Sequence, residues 1–167
     1  MEIGIFDVQV ESFSRDLALA HVRRGYSRFR SGDLTAALSE FIEARRLVPE
    51  DPYVHYLIGK TLLRFGRPRE AQAALKEGIR LCPVFNDIHY QLGKAYLAEP
   101  GAPLVKAQNA FETEIAVYSA HAQAHHQLAR IYRQLGKKDL AHAARRRAGV
   151  YGYRKSNRAN VALAAVS

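Results

Sequence analysis

The sequence predicts an all-α protein in which similar helical hairpins follow one another along the chain. The 167 residues are 48% hydrophobic, and no apolar run approaches the length needed to span a bilayer. Residues 56–83 have helical spacing on both sides of a short turn at Gly66, and the same outline returns about 34 residues later. One hairpin alone buries too little apolar surface, so the recurrence indicates hairpins that stack and bury each other.

Superposing the chain on itself gives four units of similar length, with small residues at fixed places where two helices can approach closely. Large apolar residues stand at the twenty-fourth place, except in the last unit, which has an arginine there. The eighth place holds Gly25, Gly59, Gly93 and Ala129, the twentieth holds Ala37, Ala71, Ala107 and Ala141, and the twenty-fourth holds Phe41, Leu75, Phe111 and Arg145. The predicted organisation is an N-terminal extended arm (1–16), a repeat array (17–155, with units 18–51, 52–85, 86–121 and 122–155), and a basic and apolar tail or cap helix (156–167).

The arm is predicted to be extended because Ile3 and Ile5, and then Val8 and Val10, alternate with polar residues. Such a segment could add to the sheet edge of another chain or lie across its own first helix. Both readings remain open at this level.

The second and third units resemble the tetratricopeptide repeat, whose signature is W-x2-L-G-x2-Y, then A-x3-F, then P. The second unit reads His55-x2-Ile58-Gly59-x2-Leu62, then Ala71-x3-Leu75, then Pro83. The third reads His89-x2-Leu92-Gly93-x2-Tyr96, then Ala107-x3-Phe111. The resemblance extends over roughly 135 residues. It implies a right-handed superhelical α-solenoid that acts as a non-enzymatic adaptor or assembly scaffold for other proteins.

By this resemblance, the first helix of each unit lines a concave groove, with places 5 and 9 side by side. Tyrosines beside Lys and Arg favour an acidic extended segment of another protein as the ligand, whereas the plainer alternative is a solvated polar face. The predicted partner-binding residues are Arg23, Tyr26, Tyr56, Lys60, Arg64, Tyr90, Gln91, Lys94, His126, Gln127, Arg130 and Arg133. Some family members hold a chaperone's C-terminal carboxylate with a Lys/Asn clamp, but Tyr26 and Leu57 stand at the two Asn places, so that mode is not expected.

The net charge of +9 is concentrated at one end, since residues 130–167 contain ten Lys or Arg and one acid, Asp139. This asymmetry supports an alternative function, a peripheral subunit docked through its C-terminal end on membrane headgroups or, less favoured, nucleic acid. The candidate residues are Arg145, Arg146, Arg147, Arg154, Lys155 and Arg158. The single cysteine, Cys82, indicates a reducing cytoplasm, at the inner face of a membrane if the basic end docks there.

The seven histidines raise the question of a metal site. His21, His55, His89 and His125 all occupy the fourth place, where the family usually has a packed aromatic ring. We therefore expect packing residues with one hydrogen-bonded nitrogen rather than ligands. No Gly-rich phosphate loop or G-x-S-x-G turn is present, so neither a cofactor nor an enzymatic activity is expected.

Overall fold

The structure is a computed structural model that describes residues 5–152, with side chains described from Ser12 onward. This part of the chain is built from eight helices and contains no strand, which confirms the all-α repeat fold. The helices are α1 (Ile5–Ser31), α2 (Leu34–Leu47), α3 (Pro52–Arg64), α4 (Pro68–Leu81), α5 (Ile88–Ala98), α6 (Leu104–Val117), α7 (Ala122–Gln134) and α8 (Lys138–Val150). They pair in order into four hairpins.

Local sequence sets where the helices of a hairpin begin and end. The Asp51 carboxylate accepts a hydrogen bond of 2.8 Å from the backbone N–H of Tyr53 and so caps α3. Pro68 occupies the first position of α4, where its missing N–H costs nothing. Between these two helices, Gly66 has φ of +75°, a left-handed conformation that allows the chain to reverse within three residues.

The two helices of a hairpin approach most closely at the eighth place. A Cβ added to Gly59 would lie 2.5 Å from Leu75 Cγ, and one added to Gly93 would lie 2.6 Å from Phe111 Cε1. The fourth hairpin has Ala129 at this place, opposite an exposed Arg145 instead of a large apolar residue. Glycine therefore occurs at the eighth place where a large apolar residue at the twenty-fourth place packs against it.

The core runs along the array in two parts. The first cluster extends from α1 to α6 and includes the fully buried Phe41, Leu75 and Ile88. The second lies among α6, α7 and α8, and Tyr96 packs against both clusters. In α8 only Ala144 and Ala148 are buried, so the last helix is the most weakly anchored.

The extended arm predicted for residues 1–16 is wrong from Ile5 onward, because α1 is helical from that residue. The same letters also carry a helical spacing, since Phe6, Val10, Phe13 and Leu17 are four, three and four residues apart. Adding residues to an existing helix is easy once its first turn has formed, and residues 18–31 supply that turn. The predicted tail or cap helix at 156–167 lies outside the described residues.

Three of the four recurring histidines are confirmed as packing residues with one bonded nitrogen. His55, His89 and His125 are buried, and the Nε2–H of each donates a hydrogen bond of 2.8 Å to the carbonyl six residues earlier. The carbonyl oxygen can only accept, so the Nε2 of each ring carries a proton. The fourth, His21, differs, because its Nδ1 lies 2.8 Å from Glu40 Oε2.

Candidate partner-binding groove

Cations at the ninth place form a row across three successive first helices. Each cation donates a hydrogen bond to a side chain of its own helix. The bonds run from Lys60 Nζ to Tyr56 Oη (2.9 Å), from Lys94 Nζ to Gln91 Oε1 (3.2 Å) and from Arg130 Nη1 to Gln127 Oε1 (3.2 Å). These acceptors are a phenol and two amides, and they carry no charge. The row therefore keeps its positive charge while its side chains are held in place.

Several other surface cations are neutralised by acids of the same chain. Arg67, Arg69 and Arg80, for example, form ion pairs with Glu70, Glu99 and Glu77. Within the described residues, none of the three cations of the row is in an ion pair. The charge of the row is therefore available to a ligand.

Tyrosine rings lie beneath the two lysines of the row. Lys60 Nζ is 5.1 Å from the ring centroid of Tyr56, and Lys94 Nζ is 5.7 Å from that of Tyr90, both within cation–π range. Tyr56 is buried and Tyr90 is half-buried. The tyrosines thus form the floor of the groove, and the lysines form its accessible surface.

Asp87 links three hairpins beneath this floor. It precedes α5 with a left-handed φ of +69°. Its Oδ2 accepts hydrogen bonds from Tyr56 Oη (2.6 Å) and Gln91 Nε2 (2.8 Å), and its Oδ1 lies 3.1 Å from His121 Nε2. His121 Nδ1 accepts the backbone N–H of Ala124, so Nε2 carries the proton and donates to Asp87.

Glu114 completes the network from the second helix of the third hairpin. Its side chain is fully buried and accepts the backbone N–H groups of Asp87 (3.0 Å) and Tyr90 (3.1 Å). It thereby caps α5, whose Asp87 side chain makes no capping bond. This leaves the Asp87 carboxylate to bind side chains from neighbouring hairpins.

These contacts change the ionisation of three groups. Burial opposes ionisation of Asp87, but hydrogen bonds from His121, Tyr56 and Gln91 outweigh it and lower its pKa. Burial together with the hydrogen bond to Asp87 raises the pKa of Tyr56 far above that of a free phenol. Burial, assisted by Lys60 and opposed by Asp87, lowers the pKa of Lys94.

The remaining predicted groove residues fall into two classes. Gln91 is buried and holds Asp87, and Arg64 is bound to the end of α1, with Nη1 2.9 Å from the carbonyl of Phe29 and the guanidinium 4.6 Å from its ring. Arg23, Tyr26 and Arg133 are exposed. His126 and Gln127 are half-buried. Tyr56 and Gln91 therefore support the groove from within, while Arg64 is exposed but held against α1.

Two hollows lie at the C-terminal half of the array. One, of about 440 Å³, separates Lys94 and Leu97 of α5 from Gln127 and Arg130 of α7, and so continues the cationic row. The other, of about 540 Å³, lies between α7 and α8. Both are open to solvent.

Three of the six residues predicted to bind an anionic surface belong to the described part of the chain. Arg145, Arg146 and Arg147 are exposed on α8, whereas Arg154, Lys155 and Arg158 lie outside the described residues. Among the residues that are described, no group of three or more His, Cys, Asp or Glu side chains is placed to hold a metal ion. No helix in residues 5–152 has the length and apolar character needed to cross a bilayer.

Sequence reasoning missed Glu114. A signal was present, because its place in the unit, the twenty-seventh, holds Ala44, Gly78 and Ala148 in the other three hairpins, and all of these are buried small residues. A carboxylate at one such place must find hydrogen-bond donors inside the core.

Comparison with solved structures places this arrangement among known helical repeats. The crystal structure of MamA superposes with a TM-score of 0.74 at 22% identity, over 80% of this chain and 77% of that one. The first repeat domain of Spaghetti (RPAP3), bound to the HSP90 peptide SRMEEVD, gives 0.69 at 17% identity, over 73% and 95%. A thermophilic protein of Thermus thermophilus, TTC0263, gives 0.70 at 24% identity, over 81% and 74%. Comparison with curated protein sequences finds no match.

Family models agree with the hairpin pattern. One model described as a tetratricopeptide repeat matches residues 22–67 and 56–100, and a second of the same description matches residues 122–148. The matched segments together cover more than half of the chain and include helices of all four hairpins. These matches, together with the succession of paired helices, show that the chain belongs to the tetratricopeptide-repeat family.

Proposed function

We propose that this protein is an adaptor that holds an acidic, extended segment of another protein along the row of Lys60, Lys94 and Arg130. The observation that carries the proposal is a row of cations on three successive first helices, none of them in an ion pair within the described residues. Each cation donates a hydrogen bond to an uncharged side chain of its own helix, so its charge is not neutralised there. Repeats of this family are protein-interaction modules, and carboxylates are the natural partners of such a row.

The spacing of the row suits an extended ligand. Its members come from successive hairpins, so a segment lying along the groove would meet one cation per repeat. The tyrosine rings and Leu97 supply apolar surface between the charges, which would cover the side chains that alternate with the carboxylates.

One structural neighbour supports the ligand class. The Spaghetti (RPAP3) domain is bound to a peptide, SRMEEVD, that contains three acidic residues. The present chain has Tyr26 and Leu57 where a Lys/Asn clamp would require Asn. The proposal therefore concerns side-chain carboxylates along the row and not a clamped C-terminus.

The test uses a fluorescein-labelled peptide of alternating Glu and Leu, with a matched peptide in which Gln replaces Glu. Fluorescence anisotropy should report binding of the acidic peptide alone. The variant K60Q/K94Q should lose about tenfold in affinity, because it removes two charge pairs, each worth about 0.2–1 kcal/mol when exposed, and the half-buried position of Lys60 strengthens its pair. Affinity should also fall with added salt.

The chain offers a matched control pair. Lys76 and Lys106 are exposed lysines on the second helices α4 and α6, and each lies over the ring of Tyr96 at 5.8 and 5.9 Å. K76Q/K106Q removes the same charge from a similar environment and should leave affinity unchanged. Equal binding by K60Q/K94Q and the wild type, or equal loss in both double variants, would refute the groove.

A further inference from the structure

The hollow between α7 and α8 occupies the position at which each earlier hairpin receives the next one. Gln72 of the second hairpin donates to Glu99 at the end of α5, and Tyr56 donates to Asp87 at its start. The residues of the fourth hairpin at the same two places, His142 and His126, line the hollow. It is therefore the docking groove for a further helix, and the described residues do not fill it.

Its lining differs from that of the equivalent grooves. In the third hairpin the corresponding places include Leu97, Leu104 and Phe111, and Phe111 is fully buried in one cluster with residues of α7. In the fourth hairpin the same three places hold the cations Arg133, Lys138 and Arg145. The hollow is lined by Arg130, Arg133, Lys138 and Arg145, with Ala129 and Ala141 at its base. None of these four cations is ion-paired within residues 12–152.

The chain's own C-terminal segment is a poor electrostatic match for this groove. Residues 153–167 contain Arg154, Lys155 and Arg158 and no acid. A complementary occupant needs an apolar stripe flanked by acidic residues.

The overhang of α1 meets this description. Because α2 has 14 residues and α1 has 27, residues 5–17 extend past the hairpin by about 20 Å. The overhang contains three acids, Asp7, Glu11 and Asp16, against Arg15. Its Phe13 and Leu17 are 69% and 37% exposed. Exposed apolar side chains on a helix that also carries acids favour packing against a complementary surface.

We propose that the overhang of one copy, residues 5–17, docks in the α7/α8 groove of a second copy. The overhang and α7 are both 13 residues long, so their lengths match. The contact is head-to-tail, which leaves one free overhang and one free groove at the ends of each assembly and allows further copies to add. Stacking through the body of the first hairpin is disfavoured, because Arg24 stands where an apolar contact would be needed.

The test measures the mass of the intact chain by sedimentation and light scattering over a wide range of concentration. At low salt the mass should rise to at least twice the 18.7 kDa of one chain and should fall back in about 0.5 M NaCl. K138E/R145E should remain a monomer. Its matched control R146E/R147E, on the same helix but away from the hollow, should associate like the wild type.

Exchanging the charges of the overhang and the groove tests directly whether these two surfaces meet. D7K/D16K should also be monomeric, and mixing it with K138E/R145E should restore association, because each overhang then meets a groove of opposite charge. Circular dichroism should show all variants to be as helical as the wild type. The proposal is overturned by a wild type that stays monomeric, by association that survives in K138E/R145E, or by a mixture that does not associate.

Self-association is separable from peptide binding along the cationic row. K60Q/K94Q should self-associate like the wild type, and K138E/R145E should bind the acidic peptide like the wild type. If instead monomeric protein binds the peptide through Lys138 and Arg145, then an acidic segment of another protein takes the site and the second-copy assignment is wrong.

Discussion

At the scale of single residues, Asp87 connects the three successive hairpins whose first helices carry the cationic row. Its carboxylate accepts hydrogen bonds from α3, α5 and the start of α7. The sequence shows Asp87 as the one acid among the groove-facing places, but it cannot show that partners from three hairpins converge there. The cations of the row follow from periodicity alone, whereas this network depends on how consecutive hairpins are rotated against each other.

Replacing Asp87 by Asn should destabilise the protein in a pH-dependent way. Asn tolerates the left-handed backbone, so the change removes charge without adding strain. At pH 7 the free energy of unfolding should fall by about 1–3 kcal/mol, because buried donors lose a charged acceptor. The folded pKa of Asp87 is lowered, so its contribution is present above the unfolded pKa of about 3.9 and is lost as pH falls through the folded value.

Urea unfolding at pH 7 and at about pH 3 would measure this difference, which should shrink in acid. Asp139→Asn, an exposed residue of α8, serves as the control and should change stability little at either pH. A D87N deficit of the same size at both pH values would show that the charge of Asp87 is not the cause.

At the scale of the helical elements, each of the first three hairpins is closed by a glycine that faces a large apolar residue. The repeat register predicts this pairing from sequence, because glycine and alanine recur at fixed places. The register did not reveal α1. Alternating apolar letters at 3, 5, 8 and 10 predicted a strand, and the competing spacing of Phe6, Val10, Phe13 and Leu17 was the one that agreed with the continuous helix.

Gly93→Ala should destabilise the third hairpin although alanine favours helices. The new Cβ would lie 2.6 Å from the ring of Phe111, so side chain or backbone must shift at a cost of about 1–3 kcal/mol. Gly149→Ala in α8 is the matched control, since nothing lies within 4 Å of the added Cβ. There we expect a gain of about 0.5–1 kcal/mol. Thermal unfolding of both variants measures the contrast, and a stabilised G93A would contradict the close approach.

At the scale of the whole molecule, stability is unevenly distributed along the array. The four buried residues of α4 include Leu75 and Gly78, whereas α8 buries two alanines. The sequence indicates a weaker end, because Arg145 replaces a large apolar residue there. It does not show that the replacement leaves an open groove, since that depends on which helix, if any, packs against α7 and α8.

Hydrogen exchange should therefore proceed from the C-terminal end. Amides of α8 should exchange through local opening, well before those of α4, which open only with the body of the array. Exchange followed by mass spectrometry on peptides from the two helices would test this at a concentration where the chain is a monomer. Equal protection of α4 and α8 would mean that the array opens as one unit. Raising the concentration should slow exchange in α8 if a second copy covers it.

The linkage at Asp87 also bears on how such a chain could change in length. Repeat proteins commonly gain or lose whole repeats through duplication and deletion, because each repeat contacts only its neighbours. Inserting a repeat between the second and third hairpins would separate Tyr56 from Asp87, and inserting one after the third would separate Asp87 from His121. Whole repeats can therefore be added beyond either end of this array or lost at its N-terminal end, whereas the second, third and fourth hairpins are committed to remaining adjacent.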